Sequence, residues 1–222
     1  MISRTIATES HGRYVVAPPS GEPLGLLLGF HGYAEPAEAA LARMQTIAHS
    51  DEWLLVSVQG LNRFYRGRSS DVIASWMTSQ DRDLVIADNI RYVAAVVDAV
   101  ANEWRVAWPL VLTGFSQGVA MAYRAACASP RPVSGVMSLG GDVPPELDRT
   151  SLSRLKSALV GRGARDDWYT DEKFQSDRTR LQAAAIDVTE ARVDAGHEWT
   201  TEFSAAAATF LNRVGRRDRA ST

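Results

Sequence analysis

The sequence predicts a three-layer α/β fold, a mostly parallel sheet with helices on both faces and no cap domain. Two observations carry this. Short apolar runs alternate with longer amphipathic ones along the chain, as βα repeats require. In addition, "PLVLTGFSQGVAMAYRAAC" (Pro109–Cys127) passes from a buried-strand pattern to a helical one through Gly114-Phe115-Ser116-Gln117-Gly118, a polar serine with a glycine two places to either side.

From the N-terminus, "RTIAT" and "RYVVA" flank "ESHG" and suggest a starting hairpin. "LGLLLGF" (Leu24–Phe30) is continuously apolar, as expected of a parallel strand covered on both faces. "PAEAALARMQTIAHS" reads as a helix with Leu41, Met44, Ile47 and Ala48 on one face, and "WLLVSV" (Trp53–Val58) as the next strand. An irregular stretch, Gly60 to Gln80, leads into a helix whose stripe is Leu84, Ile90, Val93, Val97 and Val100. "PLVLTGF", "VSGVMSLG", "LKSALVG" and "DVTEARVD" are four further strands, and helices are expected near Gln117–Ala128, Asp171–Ala185 and Trp199–Val214. Right-handed crossovers then gather the strand C-terminal ends along one edge, where function is expected.

The 222 residues, 45% hydrophobic with a net charge of −2, suit a single domain over 1–222, ending in the basic, polar "RVGRRDRAST", of which about 215–222 is expected to fray. Near-neutral charge offers no field for nucleic acid. No apolar run approaches the ~20 residues of a membrane span, and "MISRTIATES" lacks a signal-peptide core. A single cysteine, Cys127, suits a reducing compartment, so a cytoplasmic location is expected. With no His pair at i, i+4 and no Cys/His cluster, neither a metal nor another cofactor is expected. Nothing in the composition decides between a monomer and a homo-oligomer.

Ser116 falls at a sharp strand-to-helix turn. Such a turn strains its central residue and leaves no room for side chains at positions −2 and +2, which are Gly114 and Gly118. It exposes a hydroxyl above a helix N-terminus, the setting of a nucleophile that still needs a base. Of four histidines, His11 lies in a turn and His49 at a helix end, and His31 opens a different loop. His197, in "VDAGHEWT" after the last strand, lies on the same edge as Ser116 and is the expected base. An acid must hold its tautomer. "RGARDDWYT" offers Asp166 and Asp167, and the loop after "VSGVMSLG" offers Asp142. Asp166 is preferred, with Asp167 read as a turn cap or solvated and Asp142 as a cap or pocket residue. The order Ser–Asp–His is that of the α/β hydrolases, so the expected fold is the three-layer α/β-hydrolase fold. Oxyanion donors are expected from the backbone N–H of Gln117 and, in "HGYAEPAEA", of Tyr33.

With "FHGYA", "GFSQG", "GHEWT" and "SLGGDVPPEL" in hand, the chain from about Leu24 to Leu211 resembles the phospholipase/carboxylesterase family, which includes acyl-protein thioesterases and small bacterial carboxylesterases. The resemblance implies Ser116 as nucleophile, His197 as base, Asp166 as acid and the Tyr33 and Gln117 amides as oxyanion donors. The family's acid loop often reads H-G-x-x-D-x-x-V-P. Here it is Arg162-Gly163-Ala164-Arg165-Asp166 followed by "DWYT", which keeps Asp167 as an alternative. Tyr33 also stands where an apolar residue is often found. Aromatic side chains crowd the active-edge loops, and the expected pocket set is His31, Phe64, Trp76, Phe115, Trp168 and Trp199. Arg63, Arg66 and Arg68 read as a solvated loop. The expected activity is cleavage of a small-molecule carboxylic ester or thioester, of short to medium acyl length, through an acyl-enzyme. Amide cleavage on the same triad and a non-catalytic interaction protein are the alternatives.

Overall fold

In the computed structural model, which describes residues 1–106 and 109–219, seven strands form one sheet in the order β1-β3-β2-β6-β7-β8-β9. These are β1 (Arg13–Ala17), β2 (Leu26–Phe30), β3 (Leu54–Gln59), β6 (Leu110–Phe115), β7 (Gly135–Leu139), β8 (Ser157–Gly163) and β9 (Asp187–Val193). Every neighbouring pair is parallel except β1 with β3. β4 (Asn62–Tyr65) and β5 (Val72–Ser75) make a separate antiparallel hairpin.

The helices are α1 (Ala37–Gln45), α2 (Arg82–Trp104), α3 (Gln117–Ala128), the short α4 (Arg149–Leu152), α5 (Asp171–Ala183) and α6 (Thr201–Arg219). Side chains alternate across the strands and so feed two cores. Leu26, Leu28, Phe30, Leu110 and Leu112 pack with residues of α2, α3 and α5. Leu27, Leu55, Val111 and Met137 pack with Met44 of α1 and with Phe203 and Phe210 of α6. This is the expected three-layer sandwich, and the continuous apolar runs are strands buried on both faces.

Five details depart from the sequence reading. Residues 1–12 carry no regular structure, so "RTIAT" makes no hairpin. β1 instead takes a five-residue ladder on the edge of β3, where it is joined to a full sheet. An isolated two-stranded ribbon is marginal in water. The Gly60–Gln80 stretch contains the β4–β5 hairpin. α1 stops at Gln45 because Thr46 Oγ1 donates to the Arg43 carbonyl and His49 turns left-handed at φ 63°, which leaves Ala48 exposed. Leu84, in the first turn of α2, is also exposed. At the other end α6 runs through Arg219, into the stretch expected to fray, and positions 220–222 lie outside the described residues. No helix among the described residues is long and apolar enough to cross a membrane.

Candidate active site

Ser116 stands between the last residue of β6 and the first of α3, with φ 53° and ψ −122°. A side chain other than glycine is strained in that backbone region. The turn is tight enough that a Cβ on Gly114 would lie 2.4 Å from the Gly118 carbonyl oxygen, and one on Gly118 would lie 2.2 Å from that of Phe30. The Ser116 amide donates to the Leu139 carbonyl at 3.0 Å, tying the turn to the end of β7.

His197 and Asp166 reach Ser116 from the neighbouring strand ends. β8 and β9 pair in parallel up to Gly163 opposite Val193, and the loops beyond stay joined. Ala164 N–H donates to Val193 O at 2.8 Å and Arg165 N–H to Ala195 O at 2.9 Å. Asp166 and His197, three and four residues past that register, therefore face one another. Asp166 Oδ2 is 2.8 Å from His197 Nδ1, and His197 Nε2 is 2.8 Å from Ser116 Oγ. Asp166 is buried, and its Oδ1 accepts the amides of Trp168 and Tyr169, each at 2.9 Å. Phe115 lies beside the imidazole with ring centres 5.1 Å apart.

The third component is the loop after β2. His31 is fully buried and is not a pocket residue. Its Nδ1–H donates to the Gly32 carbonyl at 2.7 Å, and its Nε2 accepts the Gly60 amide at 3.0 Å. Burial lowers its pKa below the ordinary 6.5, so it is a neutral strut. Trp76 is buried as well. It stacks on His31 at 5.0 Å and donates its indole N–H to the His31 carbonyl at 2.8 Å. Glu35 Oε2 accepts the Gly32 amide at 2.7 Å, and Arg43 of α1 grips both Glu35 oxygens at 2.6 and 2.5 Å. Burial pushes the Glu35 carboxyl up, but the Arg43 bonds and charge together with the Gly32 amide outweigh it and hold the pKa below the usual range. The Arg43 guanidinium also lies 4.3 Å over the Phe115 ring. Backbone bonds between Ala34 or Glu35 and Ala74 of β5 close the loop's other side.

These parts surround an open cleft of ≈ 980 Å³ with Ser116 and His197 in its wall. Of the expected pocket set, Phe115 and Trp168 line it, as do Tyr33 and Gln117. Phe64 and Trp199 do not. Phe64 sits on the hairpin beside Tyr33, with ring centres 6.1 Å apart. Trp199 lies on the far side of Phe115 and bonds Thr46 and Ser204. Asp142 and Asp167 line the cleft but neither bonds His197, and Asp142 is 3.5 Å from Lys173 Nζ. Glu35, Arg43 and Met77 belong to the site or its support and were not singled out from the sequence. The faint signal for the first two is a carboxylate three residues after Gly32 and an arginine two helical turns further on.

A nucleophile-sized hydroxyl, an imidazole and a buried carboxylate in one hydrogen-bonded line match a Ser–His–Asp arrangement. The family model for phospholipases and carboxylesterases matches residues 11–214. The chain belongs to the phospholipase/carboxylesterase family. Membership makes it an esterase-type hydrolase with the α/β fold seen here. Solved structures agree with the fold. A Bacillus cereus carboxylesterase superposes with a TM-score of 0.72 at 16% identity, covering 91% of this chain and 94% of that one. A Mesorhizobium loti carboxylesterase gives 0.73 at 18% identity, covering 90% and 94%. Acyl-protein thioesterase 2 of Zea mays gives 0.69 at 18% identity, covering 92% and 100%. At such identities the likeness speaks for the fold alone. No curated protein matches the chain in sequence.

Proposed function

We propose that this chain is a serine hydrolase that cleaves carboxylic esters or thioesters of short to medium acyl chains through an acyl-enzyme. The observation that carries the reading is the unbroken contact from Ser116 Oγ to His197 Nε2 and from His197 Nδ1 to Asp166 Oδ2. In this mechanism His197 Nε2 takes the Ser116 proton as Oγ attacks the acyl carbon. The Asp166 carboxylate fixes the ring and favours the imidazolium that forms. The tetrahedral oxyanion is met by the amides of Tyr33 and Gln117, the latter at the N-terminus of α3. Collapse breaks the carbonyl-carbon bond to the alcohol oxygen or thiol sulfur, and His197 returns the proton to that leaving group. Water, activated by the same imidazole, then releases the acid and frees Ser116.

Phe115, Met77, Tyr33 and Trp168 give the cleft apolar and aromatic walls suited to a modest acyl chain. The test is modification by a fluorophosphonate, located by peptide mass spectrometry, followed by rates on matched esters, thioesters and anilides. Modification at Ser116 and turnover of esters or thioesters are expected. Labelling elsewhere, or anilides cleaved faster than esters, would overturn the reading.

A further inference from the structure

The family's acid loop often opens with histidine where this chain has Arg162, and the structure gives that arginine a specific task. It is buried at the end of β8. Its Nε donates to the Tyr169 carbonyl at 3.1 Å, and its Nη2 to the Asp166 carbonyl at 3.3 Å. Its Nη1 lies 3.5 Å from Asp171 Oδ1, at the start of α5. One planar fork thus spans both ends of the turn Asp166–Tyr169. Inside that turn, the Asp166 carboxylate collects the Trp168 and Tyr169 amides on Oδ1 and leaves Oδ2 for His197.

A carboxylate anchored on its own loop is aimed only as well as the loop is held. The backbone bonds to Val193 and Ala195 secure the side leading into Asp166. The side leading away is held by Arg162, by the Tyr169 hydroxyl, which donates to buried Asp177 at 3.0 Å, and by Lys173 Nζ, which donates to the Trp168 carbonyl at 2.9 Å; of these only Arg162 bonds both ends of the turn. We infer that Arg162 is a positioning residue for the proposed acid Asp166, bracketing the turn so that Oδ2 stays on His197 Nδ1. Asp171, itself bonded to Arg192 at 2.5 Å, balances the charge of the fork. Lysine keeps that charge but is a single point of donation, and it cannot span two carbonyls in the plane of a guanidinium.

The inference rests on the proposed triad, so fluorophosphonate modification of wild-type Ser116 is established first. Its failure would count against the triad and not against the bracket. Arg162→Lys and Arg162→His are then compared with wild type for kcat and KM on a soluble ester and for urea midpoint. With the bracket lost, kcat of the lysine variant falls about ten-fold or more while KM changes less than about two-fold, since misaiming a catalytic group costs rate before binding. The histidine variant, which restores the residue often found in the family, lies between the two. Unchanged kcat in Arg162→Lys, or a KM that rises as much as kcat falls, overturns the inference. So does failure of both variants to show a cooperative urea transition, because Arg162 then holds up the fold rather than the turn.

Discussion

Asp166 Oδ2 stands 2.8 Å from His197 Nδ1 across 31 positions of sequence, while Asp167, its immediate neighbour, makes no bond to the ring. Asp166→Asn is therefore expected to cut kcat far more than Asp167→Asn or Asp142→Asn. An amide can donate to Nδ1 and so impose the wrong tautomer, which costs up to about 10⁴ in kcat in a well-studied serine protease. Steady-state rates of the three variants on one ester decide it. A crippled Asp142 or Asp167 variant beside an active Asp166→Asn would move the acid.

Ser116→Ala is expected to lose more than about a hundred-fold in kcat, since a covalent route disappears with the hydroxyl. His197→Ala should lose activity on a similar scale, because nothing then takes the Ser116 proton. Activity retained in His197→Ala would point to another base.

His31 links acidity to stability. Burial holds its folded-state pKa below the ordinary 6.5. As pH falls past that value the unfolded chain takes up a proton that the folded chain does not. Stability is therefore present above about pH 6.5 and is lost as pH falls towards the folded pKa, by at most about 1.4 kcal/mol per pH unit. Urea midpoints of wild type and His31→Gln between pH 7 and pH 5 test this. The variant should show the shallower decline whatever its midpoint at pH 7, and parallel declines would remove His31 from the account.

Gly118→Ala sets two effects against each other. Alanine favours helix by up to about 1 kcal/mol, but its Cβ would meet the Phe30 carbonyl at 2.2 Å. Backbone cannot yield as a side-chain tip does, so packing wins and a net loss of more than about 2 kcal/mol is expected. Gly21→Ala, with no atom within 4 Å of the added carbon, is the control and should leave the urea midpoint within about 0.5 kcal/mol of wild type. Equal effects at the two sites would contradict the packing argument.

The layered fold was legible because buried parallel strands write themselves as unbroken apolar runs, and α3 was read to its ends because Gly114, Ser116 and Gly118 mark the turn before it. The β4–β5 hairpin was not. Its strands are four residues long, and β4 exposes Arg63, Phe64 and Tyr65, so no one-sided pattern appears. His31 resembled a pocket residue since it follows a strand end. What buries it comes from Gly60 and Trp76, 29 and 45 positions away. The Glu35–Arg43 pair was equally hidden, because it exists only once α1 folds back over the loop.

Substrate access follows from the open cleft, in which Ser116 is partly exposed. Rates on a series of acyl esters should follow ordinary saturation through each ester's solubility limit. A sharp jump on micelle formation, with best activity on long-chain triacylglycerols, would instead indicate a cover that lipid must displace.

The backbone at Ser116 has a last consequence. A φ of 53° with ψ −122° suits glycine and strains serine by about 1–3 kcal/mol. Replacement of the serine by glycine should therefore give a protein that melts higher than the original while doing no chemistry, whereas alanine should give no such rise. Selection for a sturdier fold alone would discard this serine first. On the proposed triad, a serine at this strained turn gives up stability in return for chemistry.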